Sequence, residues 1–248
     1  MTGLLAAELR RFRSRRLVLL LTALELLGIA LAGVLVFFNA RFELTALPDV
    51  FLGTSLVLVI VGWILGASFV GAEWHAGTMT TLLTWESRRN RVIAAKMLSV
   101  LIWVFALSLG VQAVLGGVLW LDAVTRGFTT GADAVWLVET VGVALRAALL
   151  ATFGAAVGFG FAAIGRNTAA ALGVGFGYVV VVENLVRGLR PRWIEWLVTE
   201  NAGRFLLARA PDFPFLQRST LGAGLYLTAV ACLVLLVAAV VFRTRDAT

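Results

Sequence analysis

The chain has 248 residues, 60% of them hydrophobic and only 14% charged. A water-soluble domain is about half apolar and a quarter charged, so this excess excludes an ordinary soluble fold. The formal net charge of +7 does not point to nucleic acid, because much of the positive charge sits beside apolar runs, where it orients membrane helices.

Residues 1–16 open the chain. Leu5, Leu9 and Phe12 share one helical face and arginines largely fill the remainder, which predicts an amphipathic helix lying on the inner membrane surface. Six apolar runs follow, at 17–38, 50–72, 97–121, 138–164, 168–186 and 221–242. At ~1.5 Å per residue each reaches across most or all of a hydrocarbon core of ~30 Å. The first holds a single charge, Glu25, and exceeds the roughly 7–15 residues of a signal-peptide core, so it reads as a permanent helix. The second follows Pro48 and Asp49, a helix-start pair. The fourth is interrupted by Arg146. The expected fold is therefore an all-α integral membrane protein, a single transmembrane domain over 1–248 with six membrane-spanning helices.

Lysine and arginine near helix ends set orientation. Arg10, Arg11, Arg13, Arg15, Arg16, Arg88, Arg89, Arg91, Lys96, Arg166, Arg243 and Arg245 fall on one side. The other side has Arg41 and Arg126 in its short loops, and six arginines in a long loop at 187–220. Long loops follow the rule less closely, so both termini are expected in the cytoplasm and the chain in the plasma (inner) membrane. The long loop carries Trp193, Ile194, Trp196, Leu197, Phe205, Leu206 and Leu207. It reads as two short helices at the outer interface, one begun by Pro191 and one capped by Asn201. Its tryptophans suit the headgroup layer. Glu183 and Arg187, four residues apart, are expected to pair where this loop begins. Gly62/Gly66, Gly154/Gly158 and Gly173/Gly177 are small-xxx-small pairs that permit close helix approach.

Residues 73–96 carry the strongest local signal. A polar hinge containing Glu73, His75 and Gly77 precedes Thr78 to Trp85, in which Met79, Leu82 and Leu83 line one helical face. Ser87 is placed to cap the next helix. A short helix with one apolar face needs something to dock against, either the membrane surface or a partner protein. His75 reads as solvated and Cys232 as a small packing residue. The lone Cys and lone His exclude an intrachain disulfide and a Cys/His metal cluster.

This stretch resembles the first cytoplasmic loop of ABC transporter permease subunits of the type-2 exporter class. The likeness rests on Glu73, Gly77, Thr78, Leu82, Leu83, Ser87, Arg88, Arg91 and Lys96, on the six-helix plan with its basic amphipathic start, and on the helical loop before the last helix. Ser87 stands where many relatives have proline. The resemblance implies two permease chains, identical or paralogous, above two ATP-binding subunits that hold ATP and Mg. It makes Thr78 to Trp85 the coupling helix, with Glu73, Gly77, Thr78, Met79, Leu82, Leu83, Arg88 and Arg91 toward the ATP-binding subunit. The sequence has no GxxxxGK[ST] phosphate loop, so ATP hydrolysis is expected in the partner and no cofactor or catalytic residue in this chain.

Charges within the spans are functional candidates, because each costs roughly 2.5–3.5 kcal/mol at mid-membrane. Glu25 and Arg146 are candidates for the transport path or for an interface, with Arg146 otherwise turning toward Glu139. Glu183, Arg187, Trp193 and Trp196 belong to the outer loop or gate. An ATP-independent secondary transporter and a membrane scaffold are the alternative readings. A membrane-embedded enzyme is disfavoured, since no Glu/His/Asp cluster appears within the spans.

Overall fold

The computed structural model describes residues 2–39, 42–85, 88–126, 128–208 and 217–244. Ser87, and the side chains of Leu83 and Trp85, lie outside that description. Among the described residues every regular element is a helix. α1 (Thr2–Arg13) and α2 (Arg16–Asn39) lead into α3 (Leu47–His75), the short α4 (Thr78–Trp85) and α5 (Arg89–Arg126). Then come α6 (Ala134–Gly165), α7 (Thr168–Gly177), a π-helical turn (Tyr178–Val182) and α8 (Glu183–Leu189). A 3₁₀ segment (Pro191–Trp196), α9 (Val198–Leu207) and α10 (Thr220–Thr244) complete the chain. Six helices are long and apolar enough to cross a membrane, with α7, the π turn and α8 forming one of them. This is the architecture of an all-α, multi-pass membrane protein.

The helices outrun the apolar stretches that announce them. α3 continues to His75 and α5 begins at Arg89, so the polar ends of both project beyond the apolar segment. Between α6 and α7 the turn is two residues long. Arg166 takes a left-handed conformation (φ 52°), and the Asn167 side chain caps α7 by accepting from the Ala170 N–H at 3.1 Å.

α3 and α6 form the central pair. A Cβ placed on Gly66 would lie 2.1 Å from the Ala155 carbonyl oxygen, and one on Gly158 would lie 2.3 Å from the Trp63 carbonyl oxygen. The backbones meet through glycine from both sides, as small-residue membrane contacts do. Gln112 fastens α5 to this pair, its side-chain amide donating to the Ala144 carbonyl at 3.0 Å. At Gly173 and Gly177 no described residue lies within 4 Å of a placed Cβ, so their face of α7 makes no close approach among the described residues. α2 and α10 are peripheral and present rows of exposed leucines, among them Leu20, Leu27 and Leu31 on α2, and Leu225, Leu233 and Leu236 on α10.

Gly66→Ala should force α3 from α6 and destabilise the protein by about 1–3 kcal/mol, the usual overpacking range. Gly173→Ala should be neutral or slightly stabilising. Thermal unfolding of the two purified variants checks the contrast.

Candidate functional site: the charged base of the α3–α4 elbow

α3 ends in an elbow. Gly77 adopts φ +67°, a conformation readily open to glycine, and α4 starts at the next residue. The Thr78 hydroxyl donates back to the Glu73 carbonyl at 3.3 Å. Directly beneath lies a cluster of five charged side chains drawn from the α1 region, α3 and α5.

Lys96 of α5 is its centre. It is 1% exposed and is the chain's only lysine. Its ammonium lies 2.6 Å from Glu73 Oε2 and 3.0 Å from Glu8 Oε2. Arg15 reaches Glu73 Oε1 at 3.0 Å and donates to the Ser68 carbonyl, also at 3.0 Å. Arg11 stands 3.6 Å from both Glu8 and Glu73. Phe69, fully buried, forms the floor. The Arg15 guanidinium lies 4.5 Å and the Lys96 ammonium 5.1 Å from its ring centroid, and Phe12 meets it edge-on. Burial pushes the Arg15 pKa down from its ordinary value, opposed by the Glu73 carboxylate. A guanidinium nonetheless stays charged at neutral pH.

The consequence is mechanical. α1 is not simply laid on lipid: Glu8 holds it to α5, and Trp103 of α5 donates to the Leu9 carbonyl at 2.9 Å. On the other flank of the elbow, Arg166 stacks on Trp74 at 4.4 Å and Trp74 packs against Phe242 of α10. The base of α4 is thereby tied to α1, α3, α5, α10 and the α6–α7 turn.

Two expectations for this region need correcting. Glu73 is 5% exposed and is spent on partners in its own chain, so it does not offer its carboxylate to a partner subunit. The described part of the apolar face of α4 is likewise occupied. Met79 is 1% exposed and Leu82 packs against the helix bundle, so these two side chains dock on the protein's own core. Thr81 and Thr84 are exposed on the rest of α4, as is Thr78 at its start, and His75 is exposed in the elbow. Arg88 is exposed and Arg91 half-buried, and both line a basic notch with Arg89, Asn90 and Arg243.

The candidates at the opposite end assemble separately, around α9. Glu183 is fully buried and accepts from the Thr199 N–H at 3.1 Å, from the Thr199 hydroxyl, and from Arg187 at 3.3 Å. Arg187 also bonds Glu200 at 2.7 Å. The expected Glu183–Arg187 pair is present, and Glu183, not Asn201, caps α9. Asn201 lies inside that helix, fully buried, its amide donating to the carbonyls of Glu195 and Leu197. Arg146 folds back over Gly142 toward Glu139, as expected, and also donates to the Leu206 carbonyl at 3.1 Å in the last turn of α9. A carboxylate at the first turn and a guanidinium at the last both complement the helix dipole. Pro191 does begin a short 3₁₀ segment. Trp193 and Trp196 are both exposed, and Trp196 accepts at its carbonyl from the Tyr226 hydroxyl at 2.6 Å. Glu25 joins neither cluster.

Glu8 is the member of the Lys96 cluster that the sequence did not single out. Its signal was an acid on the otherwise basic or apolar α1, facing the side of Leu5 and Phe12; the matching signal was a lone lysine among arginines. In comparisons with protein-family models and with curated protein sequences, the chain matches none.

Lys96→Met should destabilise the protein by about 3–5 kcal/mol, since it leaves two buried carboxylates without their shared cation. Adding Glu8→Gln should recover part of that loss and Lys96→Arg should cost less. Thermal unfolding gives the ranking, and limited proteolysis of α1 reports whether it has come away.

Proposed function

We propose that this chain is the membrane-embedded permease subunit of an ATP-driven ABC exporter of the type-2 class. The observation that carries the reading is α4. It is a short helix at the elbow between two spans, seated through Met79 and Leu82 on a base cross-linked by ion pairs, with Thr81 and Thr84 turned outward. A helix needed only to connect two spans requires neither such anchoring nor an open face.

The reading places the α4 end, with the basic flanks of α1, α5 and α10, in the cytoplasm of a bacterial cell, and α9 on the outer side of the inner membrane. Two ATP-binding subunits, which carry ATP and Mg, lie beneath a pair of permease chains. Their closure presses on the exposed face of α4. Because α4 sits on α3 and the cluster joins α3 to α5 and α1, the push is delivered to the ends of two spans together. The bundle then shifts between inward- and outward-open states, the free energy coming from the different fit of the ATP-binding subunits to each.

The test is co-purification with the ATP-binding protein encoded beside this chain, followed by ATPase assay in lipid nanodiscs. The expected result is a stable complex with ATPase activity. Replacing both Thr81 and Thr84 by Glu should lower complex yield or coupled activity at least about tenfold, a loss of ~1.4 kcal/mol or more, with an unchanged unfolding midpoint. Failure of every candidate ATP-binding subunit to associate would overturn the proposal.

A further inference from the structure

Glu25 lies nine residues into α2, about 13 Å along the helix axis. Both carboxylate oxygens are buried and have no hydrogen-bond partner among the described residues. A carboxylate at that depth without a counter-charge is costly. It therefore calls for a partner that no described residue supplies.

The setting narrows what that partner is. The Glu25 side chain lines a cavity of about 400 Å³ bounded by α2, α3 and α5. Its inner wall is apolar, built from residues such as Leu21, Ile29, Val61 and Leu115. The hydroxyl of Thr54, the other polar side chain in the lining, is committed to the Phe51 carbonyl. Glu25 is the only charge among the described residues that line the cavity. Leu24 and Val57, each about half exposed, stand at its rim, so the cavity opens sideways onto the surface that meets lipid. α2 touches α3 only sparsely along this seam.

We infer that this cavity is a binding site for a lipophilic cation, an ammonium or phosphonium with an apolar body, received from the bilayer. The apolar wall accommodates the body. The carboxylate has no hydrogen bond to break, so a rotation of its side chain brings it to the cavity to meet the charge. In a low-dielectric surrounding that attraction is strong, and the ligand's charge in turn favours the ionised acid. Other occupants fit less well. One carboxylate and a committed hydroxyl fall far short of the 6–8 oxygens of a calcium site. An anion is repelled.

The site is independent of the exporter reading, because binding is measured on this chain alone without any ATP-binding subunit. The probes are tetraphenylphosphonium and tetraphenylborate, alike in shape and opposite in charge, titrated against the full chain in nanodiscs with empty nanodiscs as the partition background. The expected result is saturable binding of the cation only. Glu25→Gln should weaken it at least about tenfold. Gly28→Leu, which keeps the acid and fills the cavity, should do the same, and unfolding midpoints verify that both variants are folded. In the wild-type chain, tetraphenylphosphonium should also block labelling of Glu25 by dicyclohexylcarbodiimide, a readout that needs no variant. Cation binding no greater than in empty nanodiscs overturns the inference. So does equal binding by folded Glu25→Gln, or borate binding as tight as phosphonium.

Discussion

Two carboxylates sharing one buried ammonium set the geometry of one whole end of this protein. Glu8, Glu73 and Lys96 come from three helices, and each is nearly excluded from solvent. Buried ion pairs contribute little net stability compared with apolar packing, but they tolerate few alternative arrangements. Here the restriction is useful. Lys96 satisfies both acids only if α1, α3 and α5 meet in one register, and Arg15 and Phe69 close off the remaining approaches. The elbow to α4 stands on that registered base.

The opposite end is organised by the same economy of charge, applied to a single short helix. α9 is amphipathic and only ten residues long, too short to be stable alone. Glu183 at its first turn and Arg146 at its last supply the partners that its end groups lack. Arg218 then ties α9 to α10, donating to Asn201 and stacking on Trp196 and Tyr226. The two spans that carry Glu183 and Arg146 are thus joined through α9, so neither can shift at this end without disturbing the helix. The Arg146 guanidinium has a structural acceptor in α9, whereas the Glu25 carboxylate has no hydrogen-bond partner among the described residues.

What the sequence made legible follows from the range of the interactions involved. The six spans are written in composition, because each must be apolar along its own length, and that requirement is local. The α3–α4 elbow was legible too, since Gly77 and the spacing of Met79 and Leu82 are local features. Periodicity told which face of α4 is apolar but not what covers it, and the cover is the bundle itself. The same limit hid Glu8. A helical face can be read from spacing, whereas a partner eighty-eight residues away depends on how helices pack. Asn201 shows a different failure. Asparagine is a common cap, yet a carboxylate delivered from α8 took that position, and the amide was left to bind carbonyls one turn back.

The two ends differ in a way that bears on motion. At the α4 end the links run between α1, α3, α4 and α5, with Trp74 reaching α10. At the other end they run between α6, α8, α9 and α10. The groups are joined mainly along the α3–α6 seam, where glycines let the backbones touch and the Trp63 side chain packs over Gly158. Packed helices shift past one another by small shears, but here Gln112 bonds α5 to α6 and Arg166 stacks on Trp74, so a displacement of α3 and α5 reaches α6 as well. α2 stands outside these links. It bounds the Glu25 cavity together with α3 and α5, and any change in its angle to them opens or narrows the cavity at its lipid-facing rim.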